Sequence, residues 1–250
     1  MQPDPNESLE RYPLRSLATA LRTYNPPAER FDPTGSWDQT WGVYTLAGRV
    51  ASARTVGSLT LRRRVSGRDA TLEVAYDKQL GASGRQNVAA TLYGRADGPL
   101  GTPDRWTFQI DVLDAAGKPV PHTQVRKRAA VEKGILTIGD AAQTRRIPIA
   151  GPCTVNWCLF DAAQRLPGKD MRPLEFTLID HFDQPKPETT LAYRTPMSVT
   201  IAGGRTVATH AYEQFGRGNV PWVYWVDEAG RLLLVVAGLE GYVLRESKQA

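Results

Sequence analysis

The sequence predicts an all-β fold: a highly curved antiparallel sheet, or open barrel, wrapped around one central helix, with a short N-terminal helical arm. Three observations carry that prediction. Residues 220–245, VPWVYWVDEAGRLLLVVAGLEGYVLR, are dense in β-branched and aromatic residues and are broken by two turn signals. Period-two segments bounded by Gly, Asp, Pro and Ser clusters recur from Trp41 onward. Residues 154–165 are the one strong helical pattern among them.

In chain order, residues 1–36 read as an arm. Pro13 suits a first helical position, Leu14, Leu17, Ala18 and Leu21 keep helical spacing, and Asn25-Pro26-Pro27 stops the segment. Residues 37–250 read as a single β-rich domain. Strands are predicted over 41–46, 55–65, 70–76, 87–93, 105–113, 123–131 and 135–138, forming a meander of hairpins with exposed loops at 81–84 and 96–104 and a turn at 115–119. Gly151-Pro152 breaks the pattern. In the helix over 154–165, Thr154 is a candidate cap and Val155, Cys158, Leu159, Ala162, Ala163 and Leu166 form an apolar stripe. Asn156, Asp161, Gln164 and Arg165 are left for the wetter side, and Pro167-Gly168 ends the segment. Strands resume over 174–181, 189–194, 197–202 and 205–214, with Gly203-Gly204 as a two-residue turn that needs positive φ.

The closing hairpin pairs 220–226 with 231–237 across Asp227-Glu228-Ala229-Gly230, an Asp-first, Gly-fourth turn of type I or its bulged variant. Side chains alternate in strands, so Trp222, Tyr224 and Val226 share one face and Val223 and Trp225 the other. Both faces are apolar, which calls for cover on both sides. A second turn at 238–241 returns the chain through 242–244, and the charged tail 245–250 ends it.

At 250 residues and 41% hydrophobic content, the chain can bury a sizeable core. Gly 22 and Pro 18 are punctuation for many short strands, since no Gly-X-Y period accompanies them. The formal charge of +5 reads as ordinary solvated surface. Arg62-Arg63-Arg64 and Arg126-Lys127-Arg128 are split by strand alternation, with Arg63 on the face of Leu59, Leu61 and Val65 and Arg62 and Arg64 on the other, and edge protection or a solvated face is their simplest reading. Nucleic-acid binding would need a wider stripe interleaved with aromatics, so none is expected. No segment has the roughly 20 apolar residues of a membrane helix. The opening MQPDPNESLE lacks the basic and apolar regions of a signal peptide. Cys153 and Cys158 have neither zinc-pair nor redox spacing, and buried free thiols or a local disulfide both suit them; no metal site is expected.

The order of a strand meander, the helix CTVNWCLFDAAQRLPG, F-T-L-I-D, a Gly-turn hairpin and then Y-W-V-D-E-A-G-R-L-L resembles incomplete-barrel proteins related to bacterial lipoprotein-localisation carriers, chiefly their uncharacterised envelope relatives. The matching hairpin residues are Trp225, Asp227, Gly230, Arg231 and Leu232, and the likeness spans about residues 40–246. The resemblance implies an envelope location, periplasmic or extracellular after loss of a signal peptide that this sequence does not carry, with a cytoplasmic location left open. It also implies an apolar groove between sheet and helix.

No motif names a reaction. Asp180, His181, Asp183, His210 and Glu213 are the densest titratable set, suited to acid–base work. Alternation puts Asp180 and His181 on opposite faces, and His210 and Glu213 likewise, so no strand presents a complete constellation. Cys158 lies on an apolar helix with no activating base in sequence, and there is no G-x-S-x-G. Gly216-Arg217-Gly218-Asn219 does not open a helix and is no phosphate loop. The aromatics are the better site candidates: Trp157, Trp222, Tyr224 and Trp225 are assigned to a groove for a lipid tail or a flat sugar face. Three readings follow. The first is a non-catalytic envelope protein binding an apolar or amphiphilic ligand, lipid-like or glycan, in that groove, with no cofactor. The second is an enzyme on such a substrate using His181 or His210 with Asp180, Asp183 or Glu213; the third is a structural or interaction module. Oligomeric state is left open.

Overall fold

The computed structural model describes residues 15–27, 29–46, 55–81 and 84–250. Among the described residues fifteen strands form one sheet, numbered in chain order and placed as β8 (Thr144–Pro148), β7 (Ile135–Gly139), β6 (Val125–Glu132), β5 (Pro103–Asp114), β4 (Gly84–Arg95), β3 (Asp69–Gln79), β2 (Gly57–Ser66), β1 (Trp37–Thr45), β15 (Glu240–Gln249), β14 (Leu232–Ala237), β13 (Trp222–Asp227), β12 (Thr206–Gly216), β11 (Gln184–Thr200), β10 (Leu174–Asp180) and β9 (Cys153–Val155). Two meanders are thus zipped together by the pairing of β1 (Trp37–Thr45) with β15 (Glu240–Gln249). Every neighbouring pair is antiparallel except the short β9 (Cys153–Val155), which runs parallel to β10 (Leu174–Asp180). The sheet curls without closing, its free edges being β8 (Thr144–Pro148) and β9.

Strand alternation lines one face with large apolar groups. On the first meander these are Trp37 and Trp41 of β1, Leu59 and Leu61 of β2 (Gly57–Ser66), Val74 and Tyr76 of β3 (Asp69–Gln79), Leu92 of β4 (Gly84–Arg95) and Trp106 and Phe108 of β5 (Pro103–Asp114), paired across the sheet and all buried. That face continues through β6 (Val125–Glu132) and β7 (Ile135–Gly139). On the second meander β11 (Gln184–Thr200) and β12 (Thr206–Gly216) lead into β13 (Trp222–Asp227) and β14 (Leu232–Ala237). Tyr212 and Tyr224 form a cross-strand pair there, and Tyr224 packs edge-on to Phe160 at 5.9 Å.

Phe160 belongs to the central helix, α2 (Cys158–Ala163), all six of whose residues are buried inside the curl. The helix is therefore shorter than the predicted 154–165 and has no wet side. Thr154 is not its cap: it lies in β9 and its hydroxyl donates to the Leu100 carbonyl at 2.8 Å. Asn156, Asp161 and Gln164, assigned to solvent by helical periodicity, are 1%, 7% and 4% exposed. An amphipathic stripe has one covered face, and here the sheet and the 96–101 loop together leave no residue of the helix exposed.

The polar side chains instead fasten the helix to the barrel wall. Gln164 and Gln39 exchange reciprocal amide hydrogen bonds at 2.9 Å, and Gln164 also accepts from the Leu232 N–H at 3.2 Å. Arg63 is buried, contrary to the edge-protection reading, because β2 lies mid-sheet. Its Nε stands 3.0 Å from Asp161 Oδ1 in an ion pair whose angle falls short of a hydrogen bond. Arg165 closes on the other Asp161 oxygen at 2.8 Å. Both arginines also donate to the 96–101 loop, Arg63 to the Ala96 carbonyl at 2.9 Å and Arg165 to that of Gly98 at 2.8 Å. That loop was expected to be exposed; it is docked on the helix, with Leu100 buried.

The outer face of the closing hairpin region is covered by the N-terminal helix, α1 (Arg15–Leu21). Tyr242 points inward against Phe160, so its neighbour Gly241 faces outward, and a Cβ there would come within 2.5 Å of Leu17 Cδ2. Leu17 and Leu21 are fully buried by this packing. Pro13 and Leu14 lie outside the described residues. The hairpin turn is as predicted: Asp227 Oδ1 accepts the Arg231 N–H at 2.7 Å, and Gly230 takes φ +85°. At the Gly203-Gly204 turn both glycines have positive φ, but the Ile201 N–H bonds to the Arg205 carbonyl across three residues rather than two. Two strands predicted over 189–202 are one strand, β11, bulged between Arg194 and Met197. The charged tail is also a strand: β15 continues to Gln249, because residues 246–249 pair with 37–40.

Candidate ligand-binding cavity

Between the head of the central helix and the open sheet lies a cavity of about 530 Å³, within the range typical of small-molecule sites. Aromatic residues make its lining because β13, β15 and β3 each turn one of them inward beside the helix. Trp222 stacks on Tyr242 with centroids 6.0 Å apart, and Trp157, at the head of the helix, meets Trp222 edge-on at 6.4 Å. Tyr76 tilts against Trp157 at 5.4 Å. Phe182 supplies a further apolar wall, held at an unusual φ of +69° and stacked on Phe108 at 5.0 Å.

Against this apolar surface stand three amides. Asn156 is 1% exposed and both its side-chain atoms lack a protein partner. Gln214 is fully buried; its oxygen accepts from Tyr224 at 3.4 Å while its nitrogen is unpartnered. Asn219 donates to Thr189 at 2.7 Å and leaves its oxygen unpartnered. All three line the cavity. Buried polar atoms are normally satisfied, so three amides with spare valence on one space set this cavity apart chemically from the apolar core around it.

The charged lining groups are already matched in pairs. Lys186 reaches Asp180 at 2.6 Å, and Lys78 is paired with Glu240. Glu240 also accepts from Tyr242 at 2.6 Å. Burial pushes the Tyr242 and Tyr76 hydroxyls well above the ordinary phenol range, so both remain neutral donors.

Of the sequence-nominated binding residues, Trp157 and Trp222 line the cavity. Tyr224 lies behind it, fully buried between Trp222 and Phe160. Trp225 is on the opposite sheet face, half-buried, as its odd position in the strand requires. The titratable set is not brought together. Asp180 and His181 reach the cavity, with the imidazole 3.8 Å from the carboxylate and its side chain 70% exposed. Asp183 is paired with Lys127 at 2.8 Å and Glu213 with Arg194 at 2.6 Å, both away from the lining. His210 packs beside Tyr193 and Gly168, with Nδ1 buried and unpartnered, also outside the lining. Cys153 and Cys158 are buried free thiols, and burial pushes the Cys158 thiol up to about 12, which leaves it protonated. Among the described residues no cluster of His, Cys, Asp or Glu is arranged to hold a metal.

Sequence reasoning missed Asn156, Gln214, Asn219, Tyr242, Tyr76, Lys78, Glu240, Lys186 and Phe182, each of which lines the cavity. For Gln214 and Tyr242 a signal existed, since strand pairing sets Gln214 opposite Trp222 and Tyr242 opposite Val235. Asn156 carried no such signal, because its position depends on how the helix sits in the curl.

Fold and site together define a class: an open, β-barrel-like protein with a plugged interior and one aromatic cavity beside the plug. Among solved structures, a β-barrel-like protein of the domain of unknown function DUF1849 from Brucella abortus is similar in fold, with a TM-score of 0.57 and 11% identity over 87% of this chain and 98% of that one. This likeness supports a β-barrel-like fold of uncharacterised kind and not a relation to lipoprotein-localisation carriers. No family model and no curated protein matches the chain. No helix among the described residues is long and apolar enough to cross a membrane.

Proposed function

We propose that the protein is a non-catalytic binding protein for a small amphiphilic molecule held in the cavity between the central helix and the sheet, acting in the cell envelope. The observation that carries this reading is the convergence of Asn156, Gln214 and Asn219, each with unpartnered polar atoms, on a space walled by Trp157, Trp222 and Tyr242. A purely hydrocarbon guest would leave those amides unpaired, at about 1–3 kcal/mol each. A purely polar guest would waste the aromatic wall. The acid–base reading is weaker on the same geometry: Asp180, Asp183 and Glu213 are each neutralised by a cation, whereas a working base needs a free, tuned pair.

The test is native mass spectrometry of freshly purified protein beside the same sample denatured in organic solvent. A discrete extra mass, released on denaturation and absent from Trp222→Ala, is the expected result. Retention of the same mass by Trp222→Ala would place the ligand elsewhere and overturn the assignment of the cavity.

A further inference from the structure

The cavity's chemistry goes further than amphiphile binding and specifies the head of the ligand. Resting on the binding reading above, we infer that the site selects an uncharged, hydroxyl-rich head, of the saccharide or polyol class, over a charged head carrying the same apolar tail.

Two features of the lining support this. The first is the identity of the unsatisfied groups. Asn156 offers a spare donor and a spare acceptor, Gln214 a spare donor, and Asn219 a spare acceptor. A hydroxyl both donates and accepts, so neighbouring hydroxyls match a mixed set of amides, whereas a carboxylate accepts only and an ammonium donates only. An anion would leave Asn219 Oδ1 facing like partial charge, and a cation would do the same to the Gln214 nitrogen. The second is the lack of free charge. Lys78 is held by Glu240 and Lys186 by Asp180, so the lining presents two internally compensated pairs. An ionic head here would find no free counter-charge and would have to compete with one of these part-buried pairs, leaving its displaced member without a partner. Apart from these pairs and the neutral Tyr76 and Tyr242 hydroxyls, the lining holds His181, which sits at the mouth, largely in solvent, and faces Asp180. A flat ring carrying hydroxyls at its edge also suits Trp222 and Trp157, whose planes meet at 89°, leaving a corner that an apolar sugar face or short alkyl chain can occupy.

The experiment titrates the full chain with three probes sharing one tail: hexyl β-glucoside, hexanoate and hexyltrimethylammonium. Binding is read by calorimetry and by the indole N–H signals of Trp157 and Trp222. The inference requires the glucoside to bind at least about tenfold more tightly than either ion, one missing hydrogen-bond complement being worth about that factor. It also requires Asn156→Leu to bring the three affinities together while the tail still shifts the two indoles. Equal affinities in the parent protein would overturn the saccharide inference and leave the amphiphile reading standing, the amides then being served by water. No binding of any probe, with folding intact, would overturn both. Should Asn156→Leu fail to fold, Asn219→Ala at the half-buried lip gives the same comparison and must narrow the glucoside preference.

Discussion

At the scale of single residues, the most consequential group is the buried triad Arg63–Asp161–Arg165. Its side chains are 1%, 9% and 8% exposed, so Coulomb attraction works at low screening, but desolvation of three charges opposes it. Burial pulls the Arg63 guanidinium below its usual range, against the pull of Asp161. The triad fixes one orientation of a helix that has no side-chain cap of its own. Asp161→Asn strands two guanidinium groups and is expected to cost about 3–5 kcal/mol, read as a lowered urea midpoint. A loss below about 1 kcal/mol would mean that the carbonyls of Gly35, Ala96 and Gly98 hold the arginines unaided. Asp227 gives a residue-scale prediction in pH. Burial lifts its carboxyl above the ordinary value, while the Arg231 backbone N–H and guanidinium pull the other way. A folded pKa above the unfolded one means that the native state binds the proton more tightly. The stability this adds is full below the unfolded value and is lost as pH rises through the folded one. Asp227→Asn keeps an oxygen for the Arg231 N–H, so the variant's stability relative to the parent should be greater at pH 7 than at pH 4. A difference independent of pH would assign the shift to another group.

At the scale of elements, the closing hairpin shows what local chemistry determines. Asp227 caps the turn and Gly230 occupies the left-handed region at φ +85°, with Pro33 Cγ 3.1 Å from where a Cβ would stand. Gly230→Ala is therefore expected to destabilise by about 1–2 kcal/mol through backbone strain, checked by thermal unfolding, whereas Ala at Gly98, where φ is outside the left-handed region and a Cβ would meet open space, should cost less. Such signals sit within a few residues of each other, which is why the turn and the face of Trp222 were legible in the sequence, whereas the helix ends at Ala163, ahead of the Pro167-Gly168 stop, and Gly168 opens a short 3-10 turn. Elements set by distant partners were not. The strand 246–249 is charged and reads as tail, yet it pairs because 37–40 needs a neighbour. Asn156 and Gln164 look like the wet side of a helix, yet a sheet formed mostly by other segments encloses them. The same divide runs through the site. Trp157 and Trp222 could be nominated by residue type, while the amides that give the cavity its character required the curl of the whole sheet.

At the scale of the molecule, the organising fact is that the sheet curls around its helix and does not close. The chain passes from one edge to the other through residues 149–152, so β8 and β9 are neighbours in sequence and ends of the sheet in space. Leaving the curl open admits a buried helix and leaves the cavity beside it, but it exposes strand edges that invite pairing with another chain. The two edges are guarded differently. β9 is three residues long and entirely buried, so it offers little to a partner. β8, reading TRRIP, is mostly exposed; Arg145 and Arg146 put charge on it and Pro148 removes a donor at its end. With both arginines replaced by valine, this segment becomes an apolar, uncharged edge running into Ile147 and Ile149. The double variant is expected to keep its native circular dichroism while associating with rising concentration in light scattering. A variant that stays at the parent's association state would show that the edge is protected by its shortness and by Ile149, which is buried and bonded to the Gly134 carbonyl at 2.8 Å, with the arginines playing no part in guarding it.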